Sequence, residues 1–453
     1  MLTGEARLLG PLRKAARSSP ADETLIAAQR TGQTTLRFSG GRIHQNFHEE
    51  DLVVWVKVAC DGRMGVATTS SLRHEALMRG GESAMNMARL SGKRTPAAFS
   101  STPSAEPVPK VEAYFPATVQ RPLTDTVRGI RELCARAEKG GMGLAGSTLA
   151  GESELAVAGS RGLARYQPST VGGLRLVATQ GRASGFAAQA FRDVRTLEPY
   201  HLLRKAMNHC RRNRDPRPVP LGKYDVLLEP EAVAELIEWL SAIGFGAKQV
   251  MERTSFMAGR IGDPLMNKRL TIYDDGSDPR GLAVPFDMEG IPKRRVPLIE
   301  EGRAEGIVYD SHYGKLYHRS STGHALPYDE YEGPIASNLF VAPGQTSPEE
   351  LLKQMDSGLW ITRFHYVSGL LNTQQALMTG LTRDGTYRVR KGKVAGAVKN
   401  LRFTQSILEA FSKKLIAVGR DPQLVADSRE LKYPTKSPSR MMGVRWAGTP
   451  SSS

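Results

Sequence analysis

Residues 224–244 read YDVLLEPEAVAELIEWLSAIG, and this stretch decides how the second half of the chain is read. Tyr224 to Leu228 is a short apolar run of the kind that fills a buried strand. Pro230 suits the first turn of a helix, where its missing N–H costs nothing. Val233, Leu236, Ile237, Leu240 and Ile243 recur at helical spacing and form one apolar stripe, and Gly244 stops the helix. Glu231, Glu235 and Glu238 fall on another face. Glu231 and Glu235, one turn apart, have the spacing of a hard-cation site or an acid–base pair. Acids near a helix N-terminus also suit the macrodipole on a plain solvated face.

Upstream, NRDPRPVPLG at 213–222 carries Pro216, Pro218 and Pro220, which break any regular element and mark a domain boundary. Before it, residues 199–212 read as a basic helix. Residues 153–159 and 173–179 read as strands, and 125–138 as a helix. The alternating stretches Thr34–Phe38, Leu52–Ala59 and Met64–Thr69 predict a small sheet, with Asp61-Gly62 as a tight hairpin turn. A helix is expected over 71–90, and KRTPAAFSSTPSAEPVPK at 93–110 reads as a linker or exposed loop. Beyond 265, short β-like segments alternate with Gly, Pro and Asp, with helices near 348–356 and 404–415. The expected class is α+β. A tail with a first helix covers 1–30, and an α/β domain covers 31–215 in two subregions divided near 93–110. A β-rich, barrel-like domain covers 220–430 and a tail 431–453.

The 453 residues carry 62 Lys plus Arg against 46 Asp plus Glu, a formal charge of +16, and 40% are hydrophobic. That composition is globular rather than disordered. A basic balance attracts polyanions generally, but no zinc finger or aromatic-interleaved basic motif supports sequence-specific nucleic-acid readout. Nucleic acid is therefore not the favoured partner. No uncharged apolar run reaches 18 residues, so no membrane partner is expected. Cys60, Cys134 and Cys210 are too few and scattered for a disulfide framework. With no apolar signal core near the start, a cytoplasmic location is expected.

Local catalytic motifs are absent. Gly141-Met-Gly143-Leu-Ala-Gly146 fits G-x-G-x-x-G, yet a helix precedes it and a strand follows, the reverse of the dinucleotide fingerprint. His312, His318 and His324 could hold zinc only if a hairpin brought three imidazoles together. His209-Cys210 reads as structural.

Six segments in order resemble the TldD/PmbA family, also called modulators of DNA gyrase. They are Thr35–Asn46 with Asp61-Gly-Arg-Met-Gly65, Ala156–Gly162, Tyr224–Val233, Phe286-Asp-Met-Glu-Gly290 with Arg295–Gly302, Ser321-Thr-Gly-His324, and Gly369–Phe403. The resemblance spans roughly residues 30–420. It implies a metallopeptidase-related fold with two kinds of subunit. The TldD kind carries zinc on an H-E-x-x-x-H helix just after the strand that opens the C-terminal domain. The PmbA kind, also called TldE, lacks that motif and pairs with it. Here Pro230 stands at the first histidine (Glu229 if one residue is inserted), Glu231 matches the glutamate and Glu235 stands at the second histidine. Two carboxylates do not replace two imidazoles in a zinc site of this type. The resemblance therefore implies a PmbA/TldE-like subunit with no catalytic residue and no metal of its own. Zinc is expected in a TldD-like partner; a homodimer is the other assembly, and unfolded peptide the substrate. The alternatives to this reading are an active metal-dependent hydrolase with non-standard ligands and a basic nucleic-acid-associated protein.

Overall fold

A computed structural model describes residues 2–91 and 99–426 and the strands at 439–441 and 444–447. The first half begins with helix α1 (Glu5–Arg17) and three antiparallel strands, β1 (Glu23–Ser39), β2 (Arg42–Cys60) and β3 (Arg63–Thr69), followed by α2 (His74–Leu90). The same order then recurs. A short α3 (Pro116–Val119) and α4 (Leu123–Lys139) precede β4 (Gly143–Gly159), β5 (Ala164–Gln180) and β6 (Ala183–Phe191), and α5 (Pro199–Arg212) follows. The six strands form one sheet in the order β3-β2-β1-β4-β5-β6, so two three-strand meanders meet along β1 and β4. Gly32 pairs with Glu152 at the centre of that seam.

Alternation explains the layering. Along β1, Ile26 and Ala28 face α1 and α2, packing with Leu8, Leu12, Val54, Val56, Leu77 and Ala84. Further along the same face, Leu36 and Phe38 pack with Leu133 of α4 and Leu203 and Ala206 of α5. Each leucine fully buried this way contributes about 1.5–3 kcal/mol. The third residue of each third strand is a glycine lying against the next helix. A Cβ on Gly65 would stand 1.9 Å from the Ala84 carbonyl oxygen, and one on Gly185 would stand 2.2 Å from that of Ala206. The Asp61-Gly62 turn has φ of 51° and 70°, the left-handed pair a tight hairpin needs.

The small sheet and the helices at 125–138 and 199–212 occur as read, with longer strands, and the strand after Gly141 already begins at Gly143. Two readings are corrected. The first helix expected within 1–30 is α1 at 5–17, with Leu8, Leu9 and Leu12 buried, but β1 already begins at Glu23, before the domain start expected at 31. Of the segment read as a linker or exposed loop, 93–98 lie outside the described residues. The rest is not fully exposed: Phe99 and Ser101 are buried, and Ser101 donates its N–H and its hydroxyl to Glu23 at 2.5 and 2.9 Å.

The second half opens with β7 (Asp225–Leu228), α6 (Pro230–Gly244) and α7 (Ala247–Met251). Short strands β8 (Ile272–Asp274), β9 (Val296–Glu300) and β10 (Arg303–Ala304), helix α8 (Ser311–Leu316), β11 (Leu339–Val341) and α9 (Pro348–Lys353) follow. Then come β12 (Ser357–Asn372), β13 (Leu377–Arg390), β14 (Lys393–Ala397), β15 (Arg402–Ser406), α10 (Ile407–Phe411), β16 (Leu415–Val418), β17 (Gln423–Val425), β18 (Ser439–Met441) and β19 (Val444–Ala447). They make two sheets, β10-β9-β8-β11-β18-β17 and β14-β13-β12-β7-β19-β16, with β15 beside β13.

The α+β class and the β-rich second half hold, but among the described residues no sheet closes into a barrel. Several strands are only two to five residues long, too short to supply the tilt and stagger closure requires. Beyond 265 most strands are short, as expected, and β12 and β13 are the exceptions. β12 and β13 run 16 and 14 residues, joined in a hairpin with register shifts that the local Gly and Ser residues disguised. Residues 402–406 are strand, and the helix there starts only at Ile407, where Ser406 caps it.

α6 lies on β12. Val233, Leu236, Ile237 and Leu240, the stripe read from the sequence, are fully buried with Leu359, Ile361 and Phe364 in the largest core cluster.

Candidate functional site

The strand β7 places the start of α6. β7 pairs in parallel with β12 at Val226 to Leu228, and the Glu229 N–H extends the ladder to the Ile361 carbonyl at 3.0 Å. The chain then turns at Glu229 (ψ 164°) and enters the helix at Pro230. This points the side chains of Glu229 and Glu231 at α5, which crosses from the first half.

α5 answers with two polar side chains one turn apart. The Lys205 ammonium is 3.0 Å from Glu229 Oε2 and 3.5 Å from Glu231 Oε1. His209 Nε2 is 3.4 Å from Glu229 Oε1, which also accepts from Trp360 Nε1 at 3.1 Å. The Tyr387 hydroxyl donates to the His209 carbonyl at 3.0 Å and stands 3.1 Å from its Nδ1. His209 and Tyr387 stack, and Arg212 lies over the Trp360 ring. Glu231 Oε2 is buried with no hydrogen-bond partner.

Charge is nearly balanced here, and burial decides the rest. For Glu229 burial raises the pKa, but Lys205, His209 and Trp360 outweigh it, so the carboxyl is held below its usual range. Glu231 has fewer partners, and burial beside Glu229 pushes its carboxyl up. Burial would lower Lys205, yet the two glutamates more than compensate and its ammonium is strengthened. Burial holds His209 below its ordinary value, so its imidazole is neutral at pH 7.

Glu231 is therefore not on a solvated helix face, as the macrodipole argument had it; its carboxylate is buried against Lys205. Glu235, one turn on, is half-buried. Pro230 offers no donor atom, and an ammonium already stands between Glu229 and Glu231, so these residues do not fit a zinc centre. Among the described residues no three His, Cys, Asp or Glu side chains are placed to hold a metal ion. The histidines read as candidates serve elsewhere. His324 is buried with Nε2 2.8 Å from Asp274 Oδ1 and Nδ1 2.9 Å from Thr322. His312 lies edge-on to Tyr313 in α8, and His318 follows that helix with φ 54°.

Sequence reasoning missed Lys205, Trp360 and Tyr387 and took His209 as merely structural. The one available signal was α5 itself, where Lys205 and His209 sit at i, i+4 beside the stripe Leu202, Ala206 and Cys210.

A second buried polar cluster joins the halves through the first meander. Lys57 of β2 reaches Glu289 at 2.7 Å and lies over the Phe99 and Tyr328 rings, while Trp55 Nε1 donates to Asp329 at 2.7 Å. Asp287 accepts from the N–H groups of Glu289, Ile291 and Ala325 at 2.9, 3.0 and 2.8 Å. Burial, with Glu289 nearby, pushes the Asp287 carboxyl up to about 7. A separate cavity of about 950 Å³ opens between α4 and the first sheet, lined among others by Leu36, Ile130, Leu149 and Leu174.

The PmbA/TldA metallopeptidase C-terminal domain model matches residues 221–448, and the family's domain 1 model matches 26–88. A metalloprotease TldD homolog of Haemophilus influenzae is 26% identical over 195 residues, 42% of this chain and 38% of that protein. The metalloprotease PmbA of Escherichia coli O157:H7 is 26% identical over 210 residues, 46% and 43% of the two chains. Over the curated relatives matched, the chain spans about half of their length or less. The crystal structure of TldE from Thermococcus kodakarensis superposes with a TM-score of 0.82 at 20% identity, covering 98% of both chains. A Thermotoga maritima structure named for modulation of a DNA gyrase gives 0.82 at 21% identity over 94% and 95%.

Proposed function

The chain belongs to the PmbA/TldD metallopeptidase family, and from that premise we propose that it is a zinc-free, TldE-like subunit. It completes a peptidase with a TldD-like, zinc-carrying partner and acts on unfolded polypeptides or peptide precursors. The observation that carries this reading is the start of α6. Where the peptidase motif would place two imidazoles, this chain has Pro230 and Glu235, and the carboxylates of Glu229 and Glu231 are matched by the Lys205 ammonium. Imidazole nitrogens suit zinc, whereas a lysine-neutralised carboxylate pair has no vacancy for it.

The contribution of such a subunit is binding. An extended polypeptide held through main-chain hydrogen bonds along a sheet edge is gripped with little regard to its side chains, which suits unfolded substrates.

Metal analysis of the purified chain, with cleavage assays on an unfolded polypeptide, tests the proposal. The expected result is no bound zinc and no cleavage by the chain alone, with chelator-sensitive cleavage once a TldD-like subunit is added. Stoichiometric zinc and chelator-sensitive cleavage by the chain alone would overturn it.

A further inference from the structure

We propose that the open edge of β2 at Asn46–Glu50, with the cavity beside it, receives an extended polypeptide segment in which apolar side chains alternate with basic ones. This rests on the reading above that the chain binds unfolded polypeptide, and it names the place of binding and the side chains taken.

Three observations carry it. First, β3 pairs only with Val54 to Cys60 of β2, so Arg42 to Val53 have β1 on one side and, among the described residues, no strand on the other. Asn46, His48, Glu49 and Glu50 are exposed. A long free edge of this kind is a ready template for further chain.

Second, the matching edge of the second unit shows what such an edge takes. Glu50 faces Gly32 across its ladder as Thr170 faces Glu152. The Thr170 N–H donates to the Ala113 carbonyl at 2.9 Å, and its carbonyl accepts from Arg192 Nη1 at 2.8 Å. Its hydroxyl accepts the N–H of Phe115, whose backbone is extended, at 3.1 Å. Both main-chain groups of Thr170 therefore turn away from β4 and are met from outside the ladder, the N–H by a segment of extended chain. In the same register those of Glu50, and by alternation those of His48 and Asn46, turn away from β1. The first unit has the edge without the cover.

Third, the side chains of an added strand have places to go, because they alternate between the two faces of the sheet. On one face Asn46 and His48 line the cavity of about 950 Å³, together with Leu36, Ile130 and Leu174. Gly32 lies on its floor, where a Cβ would meet nothing closer than 3.7 Å. Apolar side chains of the added strand reach this space. On the other face Glu49 accepts from the neutral Gln33 amide at 2.7 Å, so a basic side chain beside it complements its charge.

The test is fluorescence anisotropy with the full chain and a labelled hexapeptide of alternating leucine and lysine. The wild type should bind it, and should bind the leucine–glutamate counterpart about fivefold more weakly. His48→Pro removes one outward N–H at an edge, where proline is tolerated, and should weaken binding about tenfold. Gly32→Leu fills the cavity floor and should also weaken it about tenfold. In the wild type, the leucine–lysine peptide should slow amide exchange at Asn46, His48 and Glu50; should either variant fail to fold, this measurement decides. No binding, equal binding of the two peptides or unslowed exchange at those amides overturns the proposal. So does unchanged binding in either folded variant; sensitivity to Gly32→Leu alone would make the cavity a site for apolar groups with no added strand. A wild-type dimer that His48→Pro dissociates would give the edge to a second copy of the chain and overturn it too. Stoichiometric zinc with cleavage by the chain alone sinks the subunit reading whatever the peptide does, whereas a zinc-free chain whose edge takes no peptide sinks only this proposal, so the two failures are distinguishable.

Discussion

The two αβββα units of the first half share a blueprint and differ in how they meet the second half. Each sends one lysine into a buried acidic cluster. The first sends Lys57 from the sheet face, where it pairs with Glu289. The second sends Lys205 from the helix that closes the unit, where it is shared between Glu229 and Glu231. In the first unit, the helix position corresponding to Lys205 is Ser83 and that of His209 is Met87, which is 58% exposed. The same face is thus a junction in one unit and solvent surface in the other. The lesson is that the fold repeats its packing glycines and turns, and that function diverges on helix faces the packing leaves free.

The largest break in that comparison is Lys205→Ala. Leaving two buried carboxylates without their ammonium should cost about 2–4 kcal/mol, read from urea unfolding at pH 7. Ser83→Ala, the matching position, should stay within about 0.5 kcal/mol. Comparable losses at both positions would remove the asymmetry. Next come the packing glycines. Gly65→Ala and Gly185→Ala each drive a methyl into a helix backbone and should each cost about 2–3 kcal/mol. A large cost at only one would deny that the units are built alike.

A smaller effect separates the clusters by pH. The Asp287 carboxyl is raised to about 7 from an unfolded value of about 3.9. The native state therefore holds its proton more tightly. The penalty is absent below the unfolded value, grows as pH rises and is complete above about 7. Wild-type thermal stability should thus fall from acidic pH toward neutrality, and Asp287→Asn should flatten that slope. An unchanged slope would place the titration elsewhere. Last, Tyr387→Phe removes the hydroxyl that orients His209 and should cost about 1 kcal/mol, measured by thermal unfolding.

Local signals carried much of the fold. Asp61-Gly62 encodes its own turn, and the α6 stripe encodes its own burial. The β12–β13 hairpin did not announce itself, because its bulges at 361–372 break the period-two pattern. Ser101 looked like linker because its partner, Glu23, lies 78 residues away. The site was legible only in half. The motif position of Glu231 follows from the segment around it. Lys205 meets both Glu229 and Glu231, Trp360 meets Glu229 and Tyr387 meets His209, from three other elements, and no short window of sequence contains that convergence. The repeated unit itself escaped notice, since sheet order and close packing preserve it while side-chain identity does not.

The seam between β1 and β4 carries a kinetic consequence. Every other neighbour in the first sheet is joined by a tight turn, so each meander can zip from its own hairpins. Joining them requires Ser39 to find Ala145, a closure spanning the whole intervening stretch. Ordering so long a loop is entropically expensive and slow. Hydrogen-exchange labelling during refolding should therefore protect the β2–β3 and β5–β6 amides first and those along β1 and β4 last.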